Sequence, residues 1–191
     1  KTTEIPRLFL YALIVDSQAS RKTVICTQPK KKITKLNSSF VSQQMGYDIE
    51  VFKEMEEEDR EYVVQFQHGD EQYVNNAVSN YLLFCTDRIL INKMQQDNRC
   101  SNIGVVFVDE SHEHNVNMDM ILTYMKPIMN ENEKIRLVIS SATMSDDEER
   151  YRQFFQIEEQ EIIDSRIHIK DPAQKIRYTI TDVIEPEPTN I

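Results

Sequence analysis

Residues 103–112 read IGVVFVDESH, a run of six apolar residues followed at once by two carboxylates, a serine and a histidine. Apolar strands without polar alternation are typical of parallel sheets that carry helices on both faces. In open parallel sheets, ligands bind at the carboxyl ends of the strands, where Asp109 and Glu110 would lie. Adjacent carboxylates after a buried strand are unfavourable unless they serve a cation or are well solvated. An aspartate that holds Mg²⁺ and a glutamate that polarises water would use both groups.

Two more apolar segments end in polar clusters in the same way. They are residues 23–30, TVICTQPK, and residues 136–143, RLVISSAT. Residues 81–85, YLLFC, predict a further buried strand. Helical patterns separate these strands, and the predicted helices span residues 3–15, 31–45, 86–94, 118–129 and 146–155. The alternation predicts an α/β fold with a mostly parallel sheet and helices on both faces.

Several finer features of the pattern also predict structure. Pro127 is expected to interrupt or end the helix at 118–129, because proline lacks the backbone N–H that a helix interior needs. The acidic segment 46–61 is predicted to be a loop or a partly helical insertion. Additional strands are predicted at 62–66, 162–169 and 175–183. The helix at 31–45 is predicted to place these apolar residues on one face: Ile33, Leu36, Phe40 and Val41.

Length and composition bound the class of protein. The chain has 191 residues, of which 40% are hydrophobic, enough for one large domain or two small ones with a real core. Its longest apolar run, residues 8–15, has eight residues, whereas a membrane-spanning helix needs about 20. Basic ends around this run weakly mimic a signal peptide, but Glu4, Pro6 and Arg7 crowd its start. Three widely spaced cysteines favour a reducing, intracellular compartment, either cytoplasmic or nuclear.

Charge is distributed unevenly along the chain. The net charge is −10, and the segments 50–61 and 146–161 contribute −5 each. Residues 17–47 instead carry six basic residues and no acidic one. A local basic face, rather than the net charge, attracts the phosphates of a nucleic acid. The overall acidity therefore does not exclude a nucleic-acid partner, and the two acidic segments are expected to be solvated surface.

Six short motifs, taken in order, resemble those of superfamily 2 helicases. The best match is the DEAH/RHA branch, in which motif II reads DEAH. The start of the chain, KTTEIP, is similar to the end of the Walker A motif of that branch, GKTTQIP. The other matches are CTQPKK at 26–31 with motif Ia, GYDI at 46–49 with GYxIRF, FCTDRIL at 84–90 with motif Ib, DESH at 109–112 with motif II, and SAT at 141–143 with motif III. They cover the chain from residue 1 to about 183.

This resemblance implies a domain organisation. Residues 1–170 would form the first RecA-like, ATP-binding helicase domain, and residues 171–191 would begin the connection to the second. Lys1 would be the Walker lysine, so the Gly-rich loop and its strand are expected to precede it in a longer protein. That expectation also accounts for the low glycine content of three residues.

The resemblance implies a role for each matching residue in an ATP-dependent RNA helicase, with ATP and Mg²⁺ as cofactors. Lys1, Thr2 and Thr3 would bind the nucleotide, and Thr2 would hold Mg²⁺. Asp109 would bind the same Mg²⁺ through water, and Glu110 would activate the attacking water.

Further residues would join this nucleotide site to the RNA. His112 would couple the site to Ser141 and Thr143 of motif III. Single-stranded RNA would be held through its backbone, with no sequence preference, and the expected contacts are Thr27, Lys30, Lys31, Thr86 and Asp87.

Departures from the family pattern leave a second class of function open. Lys30 and Lys31 replace arginines, Ser111 replaces an alanine, His114 replaces an arginine, and Arg88 replaces a glycine. The alternative is a degenerate, non-catalytic module that acts as a scaffold for nucleotide or RNA.

One more departure concerns the helix after motif Ia. Phe40 falls where the family carries an arginine that stacks on adenine, and its helical spacing predicts a core position.

Overall fold

The computed structural model describes residues 1–16, 23–46, 63–75, 78 and 80–158. The chain divides into two compact units, Lys1–Phe155 and Gln156–Ile191. The strands predicted at 162–169 and 175–183, and nearly all of the insertion at 46–61, lie outside the described residues. The elements of the first unit are α1 (Glu4–Val15), β1 (Thr23–Gln28), α2 (Lys31–Gln44), β2 (Val64–Gln67), β3 (Gln72–Tyr73), β4 (Leu82–Thr86), α3 (Asp87–Gln96), β5 (Ile103–Val108), α4 (Val116–Glu131), β6 (Arg136–Ile139) and α5 (Met144–Phe155).

The six strands form one sheet in the order β3-β2-β4-β1-β5-β6. All neighbours are parallel except β2 and β3, which pair antiparallel. The predicted α/β fold with a mostly parallel sheet is therefore confirmed. The central strand β1 aligns Thr27 with Cys85 of β4 and with Val108 of β5. This register brings the ends of the three strands, and the polar residues that follow them, to one edge of the sheet.

Helices cover both faces of the sheet, and each face buries its own core. Leu10 of α1 and Val41 of α2 pack with Phe84 and Phe107 on one face. Successive side chains of a strand point to opposite faces, so Leu83 and Val106 lie in the other core. There they pack with residues of α3 and α4, which are Leu90, Ile91, Ile121 and Met125. No helix in the described part of the chain is long and apolar enough to cross a membrane.

Helix α2 buries only part of the face predicted for it, because Val41 is buried whereas two of the other predicted residues are exposed. Leu36 is 58% exposed and Phe40 is 49% exposed, so the prediction that Phe40 belongs to the core is wrong. The buried residues are Thr34, Ser38, Val41 and Ser42. Three of these four side chains are small, which lets the helix pack closely on the sheet. The hydroxyls of Thr34 and Ser38 donate to backbone carbonyls of Lys30 and Lys35, at 3.1 and 2.9 Å.

Helix α4 continues through Pro127 to Glu131, so the prediction that it breaks there is wrong. Proline removes the hydrogen bond to the carbonyl four residues earlier, which belongs to Thr123. Both residues lie on the exposed side of the helix, where water can solvate that carbonyl. Met125 and Ile128, on the opposite side, are buried in the core. Packing on either side of the proline therefore maintains the helix.

Candidate functional site

The start of α1 lies against the carboxyl end of β5. The Thr2 hydroxyl donates to Asp109 Oδ2 at 2.6 Å, although 107 residues separate the two in sequence. Thr3 occupies the N-cap of α1 and makes no side-chain capping bond, and Lys1 before it is exposed. The N-terminus of a helix offers backbone N–H groups and a positive dipole end, which together favour an anion. The structure thus brings the predicted nucleotide residues to the predicted catalytic aspartate.

Asp109 has a second hydrogen-bond donor, which the sequence interpretation missed. Gln28, the last residue of β1, donates from Nε2 to Asp109 Oδ2 at 3.1 Å. Asn37 of α2 in turn donates from Nδ2 to Gln28 Oε1 at 3.3 Å. Gln28 is 1% exposed. The sequence held one sign of this contact: a glutamine directly follows the apolar residues of a buried strand. A buried amide needs hydrogen-bond partners.

One oxygen of Asp109 has no hydrogen-bond partner among the residues that the structure describes. Oδ1 is buried, and no donor in the described residues reaches it. A buried carboxylate oxygen without a donor is unfavourable unless a ligand or cation satisfies it. Mg²⁺ in nucleotide sites is held by one or two protein oxygens together with water and phosphates. The free Oδ1 and the neighbouring Thr2 hydroxyl therefore fit the requirements of Mg²⁺.

Glu110 adopts a left-handed backbone conformation, with φ 53° and ψ 41°. A residue with a Cβ is strained in this region, and such strain is concentrated at functional sites. The geometry turns the chain directly after β5 into the short 3₁₀ turn Ser111–Glu113. His112 Nδ1 lies 3.3 Å from Glu110 Oε2. Two of the predicted catalytic side chains, Glu110 and His112, are thus neighbours, and both follow Asp109 at the edge of the sheet.

The turn after β5 is tied to the end of β6 through the backbone. Ser111 N donates to Ser140 O at 2.9 Å, and Ser140 N donates to Val108 O at 2.8 Å. Ser141 Oγ accepts from Thr143 N at 3.1 Å, which orders the segment after β6. His112 was predicted to couple motif II to Ser141 and Thr143. That role stays a prediction, and the described residues show a second connection between the two motifs, through the backbone of Ser111 and Ser140.

Helix α5 contacts the same turn. His114 Nε2 lies 3.3 Å from Asp147 Oδ2. Tyr151 lies near Ser111, and burial raises the pKa of its phenol above the usual value. The helix that follows motif III therefore packs on the loop of motif II, in addition to the backbone link.

Thr27, Thr86 and Asp87 are brought together at the ends of β1 and β4. Thr86 is the N-cap of α3, and Asp87 is buried in its first turn. Asn115 Nδ2 donates to Asp87 Oδ2 at 3.1 Å, while Asn115 Oδ1 accepts from Met118 N and so caps α4. Burial raises the pKa of Asp87, and the hydrogen bond from Asn115 and the nearby Thr27 hydroxyl oppose that rise. Arg88, the next residue, is exposed.

Three lysines at the start of α2 each face a carboxylate. Lys30 Nζ lies 3.0 Å from Glu113 Oε1, and Lys31 Nζ lies 2.8 Å from Asp70 Oδ2. Lys35 Nζ lies 2.8 Å from Glu71 Oε1. The hydrogen bond and charge of Lys31 lower the pKa of Asp70. The predicted RNA-binding lysines therefore lie beside Thr27, at the same edge as Asp109, but paired with acidic side chains.

The proteins similar to this chain are much longer, and each match covers one segment of them. A protein of Acanthamoeba polyphaga mimivirus, named as the ATP-dependent RNA helicase R366, is 28% identical over 95% of this chain. The ATP-dependent RNA helicase DHX30 of Rattus norvegicus is 34% identical over 81% of it, and DHX29 of Homo sapiens is 30% identical over 81%. The matches span 13%, 12% and 11% of those relatives, respectively. No family model matches the chain.

Proposed function

We propose, since this chain belongs to the DEAH/RHA-type family of RNA helicases, that it forms the nucleotide-binding part of an ATP-dependent RNA helicase. The proposal includes ATP hydrolysis and its coupling to the unwinding or remodelling of RNA. The observation that carries it is the hydrogen bond from Thr2 to Asp109 at 2.6 Å. It joins the residues that resemble the Walker A and DEAH motifs at the edge of a parallel sheet where ligands bind. The domain boundary at residue 170 and the cytoplasmic or nuclear location remain predictions.

The nucleotide site is proposed to work by position and charge. Lys1 and the N-terminus of α1, including Thr3, would bind the phosphates of ATP. Thr2 and Asp109 would hold Mg²⁺, which neutralises the charge that develops on the phosphates during transfer. Phosphoryl transfer needs such positioning more than covalent chemistry by the protein.

Glu110 is proposed to orient the attacking water and to accept its proton. Its left-handed backbone begins a turn that the backbone bond from Ser111 to Ser140 holds in place. His112 Nδ1 lies 3.3 Å from Glu110 Oε2, so the imidazole would limit the space in which this carboxylate turns. A general base must reach its water at hydrogen-bond distance, so this support has a direct role.

The RNA is proposed to lie along the same edge of the sheet, across Thr27, Lys30, Lys31, Thr86 and Asp87. Hydroxyl and ammonium groups there suit the phosphate backbone, which carries no sequence information. Because Lys30 pairs with Glu113 and Lys31 pairs with Asp70, phosphates would exchange for these carboxylates on binding. The four lysines that follow β1 would provide the local positive charge, and they are Lys30, Lys31, Lys32 and Lys35.

The decisive experiment replaces Glu110 by Gln in the complete protein. Glu110→Gln should retain ATP binding and lower turnover by about two orders of magnitude or more, as expected when a positioned base is removed. Glu133→Gln, which removes the same charge at the opposite edge of the sheet, should leave turnover unchanged. A wild-type protein that binds ATP without hydrolysing it would instead support the scaffold function. Unchanged turnover in Glu110→Gln would exclude Glu110 as the base.

A further inference from the structure

Gln28 is a buried side chain for which the proposed function has no role. It is 1% exposed and lies at the end of the central strand, between Thr27 and the loop that carries Lys30. Its amide contacts Asp109 on one side and Asn37 on the other. A buried amide is retained where its hydrogen bonds hold another group in place, because burial without partners is unfavourable. Of these two partners, only the Asp109 carboxylate is an ionisable group.

The orientation of the Gln28 amide follows from its neighbours. The Asp109 carboxylate accepts hydrogen bonds and cannot donate them, so the Nε2 group of Gln28 must face it. Oε1 then faces Asn37, which must present its own Nδ2. Gln28 Nε2 also lies 3.5 Å from the buried Cys26 Sγ. The direction of donation is therefore Asn37 to Gln28 to Asp109.

We propose that Gln28 is the positioning residue that keeps Asp109 in its metal-binding orientation when Mg²⁺ and nucleotide are bound. This inference rests on the proposed function, in which Thr2 and Asp109 hold Mg²⁺. Thr2 and Gln28 both donate to Oδ2, and none of the described residues donates to Oδ1. When Thr2 leaves for the metal, Gln28 is the remaining side-chain donor to Asp109 in the described structure. It fixes Oδ2, and Oδ1 then faces the metal and its water.

Asn37 extends this support to α2. It holds Gln28 Oε1 and so prevents the amide from rotating about its terminal bond. α2 begins at Lys31, directly after Lys30, so the helix that supports Gln28 also begins at the basic loop. Partners behind a metal ligand of this kind commonly change metal affinity by about 10- to 100-fold when removed.

The test uses Gln28→Met in the complete protein, because methionine keeps the length and apolar stem of glutamine but cannot donate. The measurement is binding of a fluorescent ATP analogue at a series of Mg²⁺ concentrations, which does not depend on hydrolysis. We expect the Mg²⁺ concentration for half-maximal binding to rise about 10- to 100-fold. Binding of the analogue without Mg²⁺ should change little. Gln44→Met is the matched control, since Gln44 is exposed and bonds Arg7 at the far end of α2.

A second variant keeps the proposal testable if Gln28→Met does not fold. Asn37→Ala lies on a half-buried helix face and removes the donor to Gln28, so it should raise the same Mg²⁺ midpoint by about two- to tenfold. An unchanged midpoint in a folded Gln28→Met, or in Asn37→Ala where Gln28→Met does not fold, would overturn the proposal. The Glu110→Gln result is separate: full hydrolysis in that variant would refute the catalytic assignment and leave the Mg²⁺ midpoints as they are.

Discussion

Lys30 and Glu113 form an ion pair at 3.0 Å between the loop after β1 and the turn after β5. The first residue was predicted to bind RNA, and the second directly follows the predicted catalytic His112. A phosphate that binds Lys30 would therefore compete with a carboxylate of the turn that carries His112. The pair connects the proposed RNA surface to the proposed nucleotide site through a single exchangeable contact.

Opposite changes of the two partners should have opposite effects on RNA binding. Glu113→Gln frees Lys30 and should raise affinity for single-stranded RNA by about two- to fivefold, the range of an exposed ion pair. Replacing Lys30 and Lys31 together by Ala should lower affinity equally for unrelated sequences. It should also make the salt slope shallower by about 0.7 for each RNA phosphate that the protein no longer neutralises. Titrations at several salt concentrations measure both effects, with Glu133→Gln as the control.

The outcome that contradicts this prediction is equally clear. If the double lysine variant binds RNA like wild type with the same slope, these lysines are solubilising surface. If Glu113→Gln weakens binding, the carboxylate is ordering the loop rather than competing with the phosphate.

Removing the Thr2 hydroxyl should weaken metal-dependent nucleotide binding. Thr2→Val keeps the shape of the side chain but loses both the bond to Asp109 and the oxygen offered to Mg²⁺. We expect the nucleotide affinity at saturating Mg²⁺ to fall about tenfold, and Thr2→Ser to restore most of it. Calorimetric titration with a non-hydrolysable ATP analogue measures the change. Equal affinity in Thr2→Val would show that Mg²⁺ binds without this hydroxyl.

The buried Asp87 predicts how stability depends on pH. Burial raises the pKa of Asp87, so the folded state binds this proton more tightly than the unfolded state does. The stability that Asp87 contributes is complete below its unfolded pKa, about 4, and is lost as pH rises through the raised folded value. Asp87→Asn keeps an acceptor for Asn115 and does not titrate.

Wild type should therefore lose stability relative to Asp87→Asn as pH rises from about 4 towards 7. The free energy of unfolding of the variant, minus that of wild type, should increase over this range. Denaturant unfolding at a series of pH values measures the difference. Parallel curves for the two proteins would show that the folded and unfolded states hold this proton equally.

Truncating an apolar side chain should cost far more stability in the core of the sheet than on the surface. Phe107 of β5 is 0% exposed, so Phe107→Ala should lower the free energy of unfolding by about 3–5 kcal/mol. Val116 is 74% exposed, so Val116→Ala should change it by about 0.5 kcal/mol or less. Denaturant unfolding gives both values. Similar losses in the two variants would contradict the packing of β5.

The sequence predicts most of the sheet well, because most of its strands are nearly uninterrupted runs of apolar residues. Residues 23–27, 81–85, 103–108 and 136–139 coincide with β1, β4, β5 and β6 to within one residue. The two-residue strand β3 was not predicted, since Gln72 and Tyr73 are too few to show a period. Its pairing with β2 depends on contacts between strands rather than on a local pattern.

The faces of the helices were harder to predict, because the space left by the sheet decides them. Leu36 and Phe40 share the helical spacing of the buried Val41, yet both are exposed. The helix buries the smaller Ser38 instead. Pro127 lowers helix propensity, but the buried neighbours Met125 and Ile128 outweigh it. In both helices tertiary packing prevails over the local signal.

The residue types of the site could be predicted from the sequence, but the side-chain contacts between them could not. The resemblance names Thr2 and Asp109, and the structure joins them. The pairing of Lys30 with Glu113 and the support of Asp109 by Gln28 join positions 83 and 81 residues apart. Such contacts follow from strand order, which a single sequence does not display.

The hydrogen bond from Ser111 N to Ser140 O uses main-chain atoms alone. Every residue except proline can donate from this position. The connection between the loop of motif II and the last strand therefore does not depend on the side chain at 111. A serine there, in place of the alanine that the family carries, leaves this backbone hydrogen bond intact. A change of side chain at this position is therefore compatible with an unchanged backbone connection, whereas Ser111→Pro would remove the donor.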